Sequence, residues 1–337
     1  MRNGRKFRTA AYIAAALTFA IAAPAGAKTI VKIGSPTLHE SVHFWMLNFK
    51  KRIEKRAGDR FQVQVYPASQ LGSIPRMVEG AQLGTIEMIM VPPSFLVGLD
   101  QRFQVLSAPG VFKDQEQGFL TVQDPEFKKA FWHIGEKKGI KMLGNFCPAD
   151  TNYASRDPIR HISDFAGKKI RVFASDMERE EMRRLGATAA PMPLTEVLPG
   201  LQRGVIDAAK SGMVIFVAFK YENTAKYVAA TKESLICVPA LASVKWFNKL
   251  SKADQKMFEE VAHNNDYAEQ PKSIVFNNNT YAIWKKHGGE VTRFSPKEQK
   301  EFEAKIKTVA DTVMKNKPEV RKMYELMKKV AARYAGK

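Results

Sequence analysis

The chain has 337 residues, 45% of them hydrophobic, and a formal net charge of +19. That length exceeds what one hydrophobic core usually organises, and the hydrophobic content is enough to fill two, so we expect two domains. The cations are spread along segments such as 298–307 and form no compact block with interleaved aromatic residues. This distribution excludes a typical nucleic-acid-binding protein.

The first 27 residues have the pattern of a secretory signal peptide. Four cations precede an apolar run at 10–23, and Ala25-Gly26-Ala27 supplies the small residues before a cleavage site. The run is shorter than the roughly 20 residues that a bilayer span needs, which disfavours a membrane anchor. We therefore expect an exported mature chain that begins at Lys28 and has a net charge of +15 (19 − 4).

The first part of the mature chain alternates strand and helix patterns. Thr29–Gly34 is a predicted strand, and alternation at 61–65 predicts a second, half-buried one. The apolar run 86–91 predicts a strand covered on both faces, preceded by a helix over Ile74–Leu83. Between the first two strands, one helix face is predicted from Val42, Trp45, Met46, Phe49 and Ile53.

The pattern resumes after a loop-rich centre and predicts a second α/β unit. Predicted strands lie at 140–146, 168–173, 187–192 and 205–209, with helices at 177–185 and 194–203. From 251 to about 287 the pattern is helical, with Ser251 as the N-cap and Pro271 as the expected kink. A helix of that length can run from one domain onto the other. Alternating strands and helices predict mostly parallel sheets flanked by helices.

Two features suggest special chemistry but leave it open. Cys147 and Cys237 are the only two cysteines of the chain. An oxidising compartment permits a disulfide between them, but the sequence does not show whether they lie within bonding distance. His39, Glu40 and His43 match a zinc-protease pattern. We expect the helix to start near Ser41, which leaves His39 outside it, and no third ligand is indicated, so an exported zinc metallohydrolase is a remote alternative.

The most informative residue is Arg171, near the carboxyl end of the strand predicted at 168–173. Ligands of open α/β sheets bind at that edge. A guanidinium there can hold a carboxylate through two parallel hydrogen bonds. The alternative is an edge-strand arginine paired with a surface carboxylate.

Several short sequence motifs occur along the chain in a specific order. They are Tyr66-Pro67-Ala68-Ser69-Gln70-Leu71-Gly72, 83–88, Pro158-Ile159, 168–172, 185–187, 191–193, Glu196-Val197 and 201–207. Together they resemble the solute-binding subunits of tripartite ATP-independent periplasmic (TRAP) transporters, the DctP-like family. The resemblance spans nearly the whole mature chain.

That resemblance implies a two-domain periplasmic-binding-protein-like α/β fold, with a sheet flanked by helices in each domain, a ligand cleft between them and a long bridging helix. We expect domain I at 28–147 and about 237–276, and domain II at 148–236 and about 277–337. The resemblance also implies a monomeric periplasmic protein, not an enzyme, that needs no cofactor and hands its ligand to TRAP permease subunits. A ligand-sensing subunit is an alternative with the same ligand chemistry.

Arg171 matches the carboxylate-binding arginine of the family, but several neighbouring positions depart from it. Ser211 stands where many relatives have Asn, and a second arginine of the family is replaced around Asp150-Thr151. Pocket positions that are polar in relatives are Pro92, Pro93 and Phe95 in this chain. One anchor and apolar walls predict an aromatic or otherwise hydrophobic monocarboxylate. The remaining candidate ligand contacts are Phe173, Leu194, Lys210, Met213, Phe216 and His43. If Lys210 turns into the cleft as a second anchor, a C4-dicarboxylate or 2-oxo acid becomes the better candidate.

Overall fold

The computed structural model describes residues 28–336, so the predicted signal peptide lies outside the described residues. The strands are β1 (Thr29–Gly34), β2 (Phe61–Tyr66), β3 (Met88–Met90), β4 (Ile140–Asp150), β5 (Asn152–Ser155), β6 (Lys169–Val172), β7 (Thr188–Pro191), β8 (Ala208–Ser211), β9 (Tyr227–Ala229), β10 (Leu235–Ser243) and β11 (Glu290–Thr292). The helices are α1 (Ser41–Ala57), α2 (Ile74–Leu83), α3 (Gln115–Gln123), α4 (Pro125–Phe131), α5 (Asp176–Arg184), α6 (Leu194–Gln202), α7 (Met213–Ala218), α8 (Val244–Phe247), α9 (Lys252–Lys286), α10 (Pro296–Ile306), α11 (Val309–Val313) and α12 (Pro318–Ala332).

The strands form two separate mixed sheets. The first has the order β2-β1-β3-β10-β4, in which β1, β2 and β3 are parallel and β10 is antiparallel to both of its neighbours. The second has the order β11-β9-β5-β8-β6-β7, with β6, β7 and β8 parallel. Helices flank both sheets, so the predicted α/β fold class is confirmed. Because parallel strands end on the same side, each sheet presents a carboxyl edge suited to ligands.

The predicted elements match most closely where hydrophobic periodicity is strongest. The bounds of β1 and α2 are those predicted, and all five predicted core residues of α1 are buried. The predicted strand 205–209 is displaced to Ala208–Ser211 because the amide of Val205 donates to the carbonyl of Gly200 in the turn that ends α6. Strand β10 was not predicted, although it lies in the middle of the first sheet.

Helix α9 connects the two sheets, and its side chains form hydrogen bonds with the outer edge strand of the first sheet. It packs on α1 and β4 near its start and on α7 and β11 near its end. Since β4 is an edge strand, its outward backbone groups need partners. Gln270 supplies two of them, accepting from the Cys147 amide at 2.8 Å and donating to the Cys147 carbonyl at 3.1 Å. Asp266 accepts from the Asn145 amide at 2.7 Å. Pro271 lies inside the continuous helix.

Three segments cross between the sheets, which supports the expected division into two domains. The chain passes from β4 into β5, returns from β9 into β10, and crosses again along α9. The C-terminal helix α12 packs against α3 and α4 on the side of the first sheet, and Gln117 donates to the Ala331 carbonyl at 2.9 Å. We therefore keep the domain bounds given above as a proposal, in which α12 belongs to domain II but packs against domain I.

A disulfide links two of the crossing strands. Cys147 on β4 and Cys237 on β10 are bonded, which answers the question that the sequence left open. Both cysteines are buried beside the point where β4 and β10 leave the first sheet. Among the helices within residues 28–336, none combines the length and the hydropathy that spanning a bilayer requires.

Candidate functional site

A cavity lies between the two sheets, at their carboxyl edges. Its walls come from the segments that follow β1 and β3 in the first sheet, from β6, α6, β8 and α7 on the second, and from the crossing strands β4 and β10. The cavity volume is about 40 Å³, more than the roughly 10–15 Å³ that a single water needs. The residues that line it are Pro36, Thr37, Glu40, Val42, Ile74, Met90, Pro92, Phe95, Pro148, Ala149, Arg171, Phe173, Leu194, Ser211, Val214, Ile215, Ile236 and Val238.

Arg171 lies in this cavity and is only 1% exposed. Its guanidinium donates from Nε to the Met192 carbonyl at 3.1 Å and from Nη1 to the Lys210 carbonyl at 2.9 Å. Within residues 28–336 it forms no ion pair with a carboxylate. Burial lowers the pKa of Arg171, with Tyr221 and Glu178 opposing the shift, but a guanidinium stays protonated in proteins. The site therefore holds a buried positive charge that backbone carbonyls orient but do not neutralise.

Four other predicted contacts line the same cavity: Phe95, Phe173, Leu194 and Ser211. The rings of Phe95 and Phe173 meet edge to face, with centroids 5.9 Å apart. Phe95 follows β3 of the first sheet and Phe173 follows β6 of the second, so this contact closes the cavity between the sheets. The Arg171 guanidinium carbon lies 4.5 Å from the centre of the Phe173 ring, a favourable cation–π geometry.

Lys210 does not turn into the cavity. Successive side chains on a strand point to opposite faces, so with Ser211 facing the cavity, Lys210 faces the protein interior. Its ammonium lies 2.6 Å from a Glu181 carboxylate oxygen and 2.9 Å from one of Glu233. Although burial opposes it, the attraction of these two carboxylates holds the pKa of Lys210 above its ordinary value. The structure thus provides no second anion anchor at this position.

Met213, Phe216 and His43 are also placed away from the cavity. Met213 and Phe216 lie on the face of α7 that packs into the core beside Trp284, whereas Val214 and Ile215 on the opposite face line the cavity. His43 lies in the first turn of α1, partly exposed, and its ring is near that of His39. The apolar character of Met213 and Phe216 was visible in the sequence, but which face of α7 lines the cavity depends on how the helix packs.

The residues of the zinc-protease pattern have another role. Helix α1 begins at Ser41, as predicted, and His39 precedes it with a positive φ of 54°. Glu40 is the N-cap, and its carboxylate accepts from the amides of Val42 and His43. Across residues 28–336, no group of three or more His, Cys, Asp or Glu side chains is arranged to hold a metal ion.

Glu40 lines the cavity but was not among the predicted ligand contacts. It lies after the carboxyl end of β1 and directly before α1, which is the ligand edge of a parallel sheet. That position was a usable signal. Thr37 also lines the cavity, and its hydroxyl donates to Glu40 at 2.5 Å.

Comparisons with known proteins show which family has this sequence and fold. Residues 36–317 match the family of bacterial extracellular solute-binding proteins, family 7 (DctP). The chain belongs to this family. It is 26% identical over 302 residues to the uncharacterized protein YiiZ of Salmonella typhimurium, which covers 86% of this chain and 87% of that protein.

Two further family relatives carry informative names. The chain is 29% identical over 195 residues, 57% of its length and 58% of the relative's, to the 2,3-diketo-L-gulonate-binding periplasmic protein YiaO of Escherichia coli. A solved TRAP periplasmic solute-binding protein from Anaerococcus prevotii, with bound D-glucuronate, has a TM-score of 0.85 and 24% identity, covering 91% of this chain and 99% of that one. This chain therefore has the fold of TRAP periplasmic solute-binding proteins and belongs to a family of bacterial extracellular solute-binding proteins.

Proposed function

We propose that this DctP-family protein captures a small organic acid in the periplasm and delivers it to a TRAP-type membrane permease. The observation that carries the proposal is Arg171, a buried cation in a cavity between two sheets that forms no ion pair with any carboxylate of residues 28–336. A buried charge without a partner is costly. An anionic ligand would supply the partner, and a carboxylate matches the planar guanidinium with two parallel hydrogen bonds.

For the ligand itself we propose a monocarboxylate with a largely apolar skeleton. Beside Arg171, the walls consist mainly of the aromatic rings of Phe95 and Phe173 and of aliphatic side chains such as Ile215. Aromatic rings and aliphatic groups give large contact area with apolar ligands. An aromatic acid therefore fits the walls better than a sugar acid whose hydroxyls all need partners.

The second candidate is a more polar acid. YiaO is named for a sugar acid and the Anaerococcus prevotii protein holds a uronate, which favours ligands of that class for this chain. A C4-dicarboxylate is supported less by the cavity, because Lys210 is neutralised by Glu181 and Glu233 and gives the second carboxylate no anchor.

A thermal-shift screen followed by calorimetry tests the proposal. The panel contains benzoate, phenylpyruvate and cinnamate-type acids beside succinate, pyruvate, D-glucuronate and L-gulonate, with the primary amide of each aromatic acid as a matched neutral control. A ligand that binds only the folded protein raises the melting temperature. We expect carboxylates to raise it and their amides not to. Equal shifts for acids and amides, or none for any acid, would refute the function.

A further inference from the structure

A buried carboxylate that does not line the cavity lies between the two sheets. Glu178 is on α5, which follows β6 of the second sheet, and it is 2% exposed. Its Oε1 is 3.4 Å from the hydroxyl oxygen of Ser94, which follows β3 of the first sheet, and Ser94 is in turn 2.7 Å from the hydroxyl oxygen of Ser107. Residues from the side of the first sheet therefore cover Glu178, and moving the two sheets apart would expose it to water.

Glu178 has hydrogen-bond donors but no ion pair within residues 28–336. Its Oε2 accepts from the amide of Ser175 at 3.1 Å and from the hydroxyl of the same residue at 2.8 Å. Burial raises the pKa of Glu178, and the charge of Lys210, the hydrogen bonds from Ser175 and the charge of Arg171 oppose the shift. The negative charge of Glu178 therefore depends on two cations that do not contact it.

Those two cations are shared with other buried carboxylates. Lys210 lies 2.6 Å from a carboxylate oxygen of Glu181 and 2.9 Å from one of Glu233. With Glu178, three carboxylates thus depend on two cations, Lys210 and Arg171. A ligand carboxylate on Arg171 would make four. Because an uncompensated buried charge is costly, one carboxyl group should then take up a proton.

The other charged groups on or near α5 do not supply the missing positive charge, because they are paired elsewhere or exposed. Lys305 and Asp311 of α10 and α11, which pack on α5, are exposed. The Tyr153 hydroxyl of β5 donates to Glu181 at 2.6 Å. The remaining pairs are Asp176 with Lys317 and Arg179, Glu180 with Arg183 and Arg184, Asp100 with Arg102, and Asp150 with Lys232.

We propose that closure around an anionic ligand is accompanied by the uptake of a proton on Glu178, so that ligand capture is linked to pH. In the closed protein the protonated carboxyl group donates to the Ser94 hydroxyl across the two sides. In an open protein, water would stabilise the ionised form. The inference deepens the proposed function and rests on it, because the ligand charge at Arg171 favours the uptake.

The direction of the pH dependence follows from the proton count. The complex holds a proton that the free protein lacks, so affinity should fall as the pH rises. Benzoate, phenylpyruvate and D-glucuronate are the probes, since all three stay ionised between pH 6 and pH 8. Isothermal calorimetry in buffers of different ionisation enthalpy counts the protons. We expect net proton uptake by wild type and an affinity about threefold or more lower at pH 8 than at pH 6.

The variant Glu178→Gln imitates the protonated carboxyl group. It should bind without proton uptake and with little pH dependence, and at pH 8 it should bind about threefold or more tightly than wild type. Damage to the fold would weaken binding and not strengthen it. Glu180→Gln, on the same helix, is the control and should behave as wild type, because Arg183 and Arg184 hold the pKa of Glu180 at about 2.

Infrared difference spectroscopy of wild type gives a second readout that needs no variant. Ligand binding should produce the C=O stretch of a protonated carboxyl group, and labelling glutamate with ¹³C should shift that band. The label distinguishes a glutamate from Asp266 and from His43, which lies near the cavity and could also take up a proton on anion binding.

The outcomes separate this inference from the proposed function. If the acids bind wild type without proton uptake, or if no labelled band is produced, the role of Glu178 is refuted while the function stands. The same holds if Glu178→Gln keeps the proton uptake of wild type. If no carboxylate of the panel binds at any pH, the proposed function fails, and this inference fails with it.

Discussion

At the residue scale, the site depends on how Arg171 is held. Two backbone carbonyls, of Met192 and Lys210, fix its guanidinium from one side, and the Phe173 ring lies against it. Both carbonyls belong to strands or segments next to β6, so the position of the charge is determined by the second sheet itself. Because these carbonyls already hold the guanidinium in place, it loses little conformational freedom when a ligand binds.

The first prediction concerns this anchor. Arg171→Ala should lower the affinity for the best carboxylate of the panel by about 2–5 kcal/mol, because a buried charge-assisted contact is lost. Arg171→Lys should recover only part of that loss, since an ammonium cannot reproduce the planar fork. Isothermal calorimetry measures both, and circular dichroism checks the fold. Binding of the Ala variant within threefold of wild type would show that Arg171 is not the anchor.

A second prediction at this scale concerns a buried carboxylate remote from the cavity. Asp266 accepts from the Asn145 amide, the Trp45 indole and the Gln123 amide. Burial nevertheless raises its pKa to about 7, whereas an unfolded aspartate has a pKa of about 3.9. Between pH values of about 3.9 and about 7, Asp266 is therefore protonated in the folded protein but ionised in the unfolded chain. Stability should therefore fall as the pH rises through this window, by up to about 1.4 kcal/mol per pH unit.

The matched variant for this prediction is Asp266→Asn, which does not titrate. Urea unfolding should be measured for both proteins at pH 5, 6 and 7. The unfolding free energy of wild type should decrease relative to that of the variant as the pH rises. A difference that stays constant across the three values would contradict the raised pKa of Asp266.

At the element scale, strands β4 and β10 matter most, because they carry the chain between the sheets and also line the cavity. Ala149 of β4 and Ile236 of β10 are in the cavity wall. Helix α9 supports the outer edge of β4 through Gln270, and the disulfide joins β4 to β10 next to the wall. These contacts hold the crossing strands together beside the cavity wall.

The disulfide should contribute substantially to stability. It closes a loop with a sequence separation of 90 residues, and loops of that size are associated with about 2–5 kcal/mol. We expect the double variant Cys147→Ala, Cys237→Ala to lose that amount in urea unfolding, and a reductant to destabilise wild type but not the variant. Equal stability of wild type and variant under oxidising conditions would contradict this.

At the scale of the whole molecule, two sheets joined by three ordered crossings favour a hinge motion. The edge-to-face contact between Phe95 and Phe173 joins the two sides directly, so the conformation described here is closed around the cavity. A ligand that contacts both walls of the cavity would stabilise this state.

The corresponding prediction is that ligand binding makes the protein more compact. Small-angle scattering should give a smaller radius of gyration with the best carboxylate of the panel than without it, and Arg171→Ala at the same ligand concentration should give the value of the free protein. An unchanged radius of gyration at confirmed saturation of wild type would count against closure.

The sequence by itself determined the fold class and the order of the main elements, and it singled out Arg171, which the structure places in the cavity wall. These follow from local patterns: the periodicity that defines α1 and α2, the alternation in β2, and the place of Arg171 at a strand end. The resemblance to the DctP-like family, which rests on blocks along the whole chain, added one sheet in each domain and agreed with the long helix that the helical pattern from 251 already predicted. Both were confirmed.

Only the tertiary structure decided which side chains share the cavity. Lys210 and Ser211 are neighbours on β8, yet the strand places one in a buried ion-pair cluster and the other in the cavity wall. Met213 and Phe216 had the composition of a ligand wall but belong to the core, because packing against Trp284 determines the rotation of α7. Glu40 and Arg171 are 131 positions apart in the chain, and their shared cavity depends on how two sheets face each other, which no local pattern records.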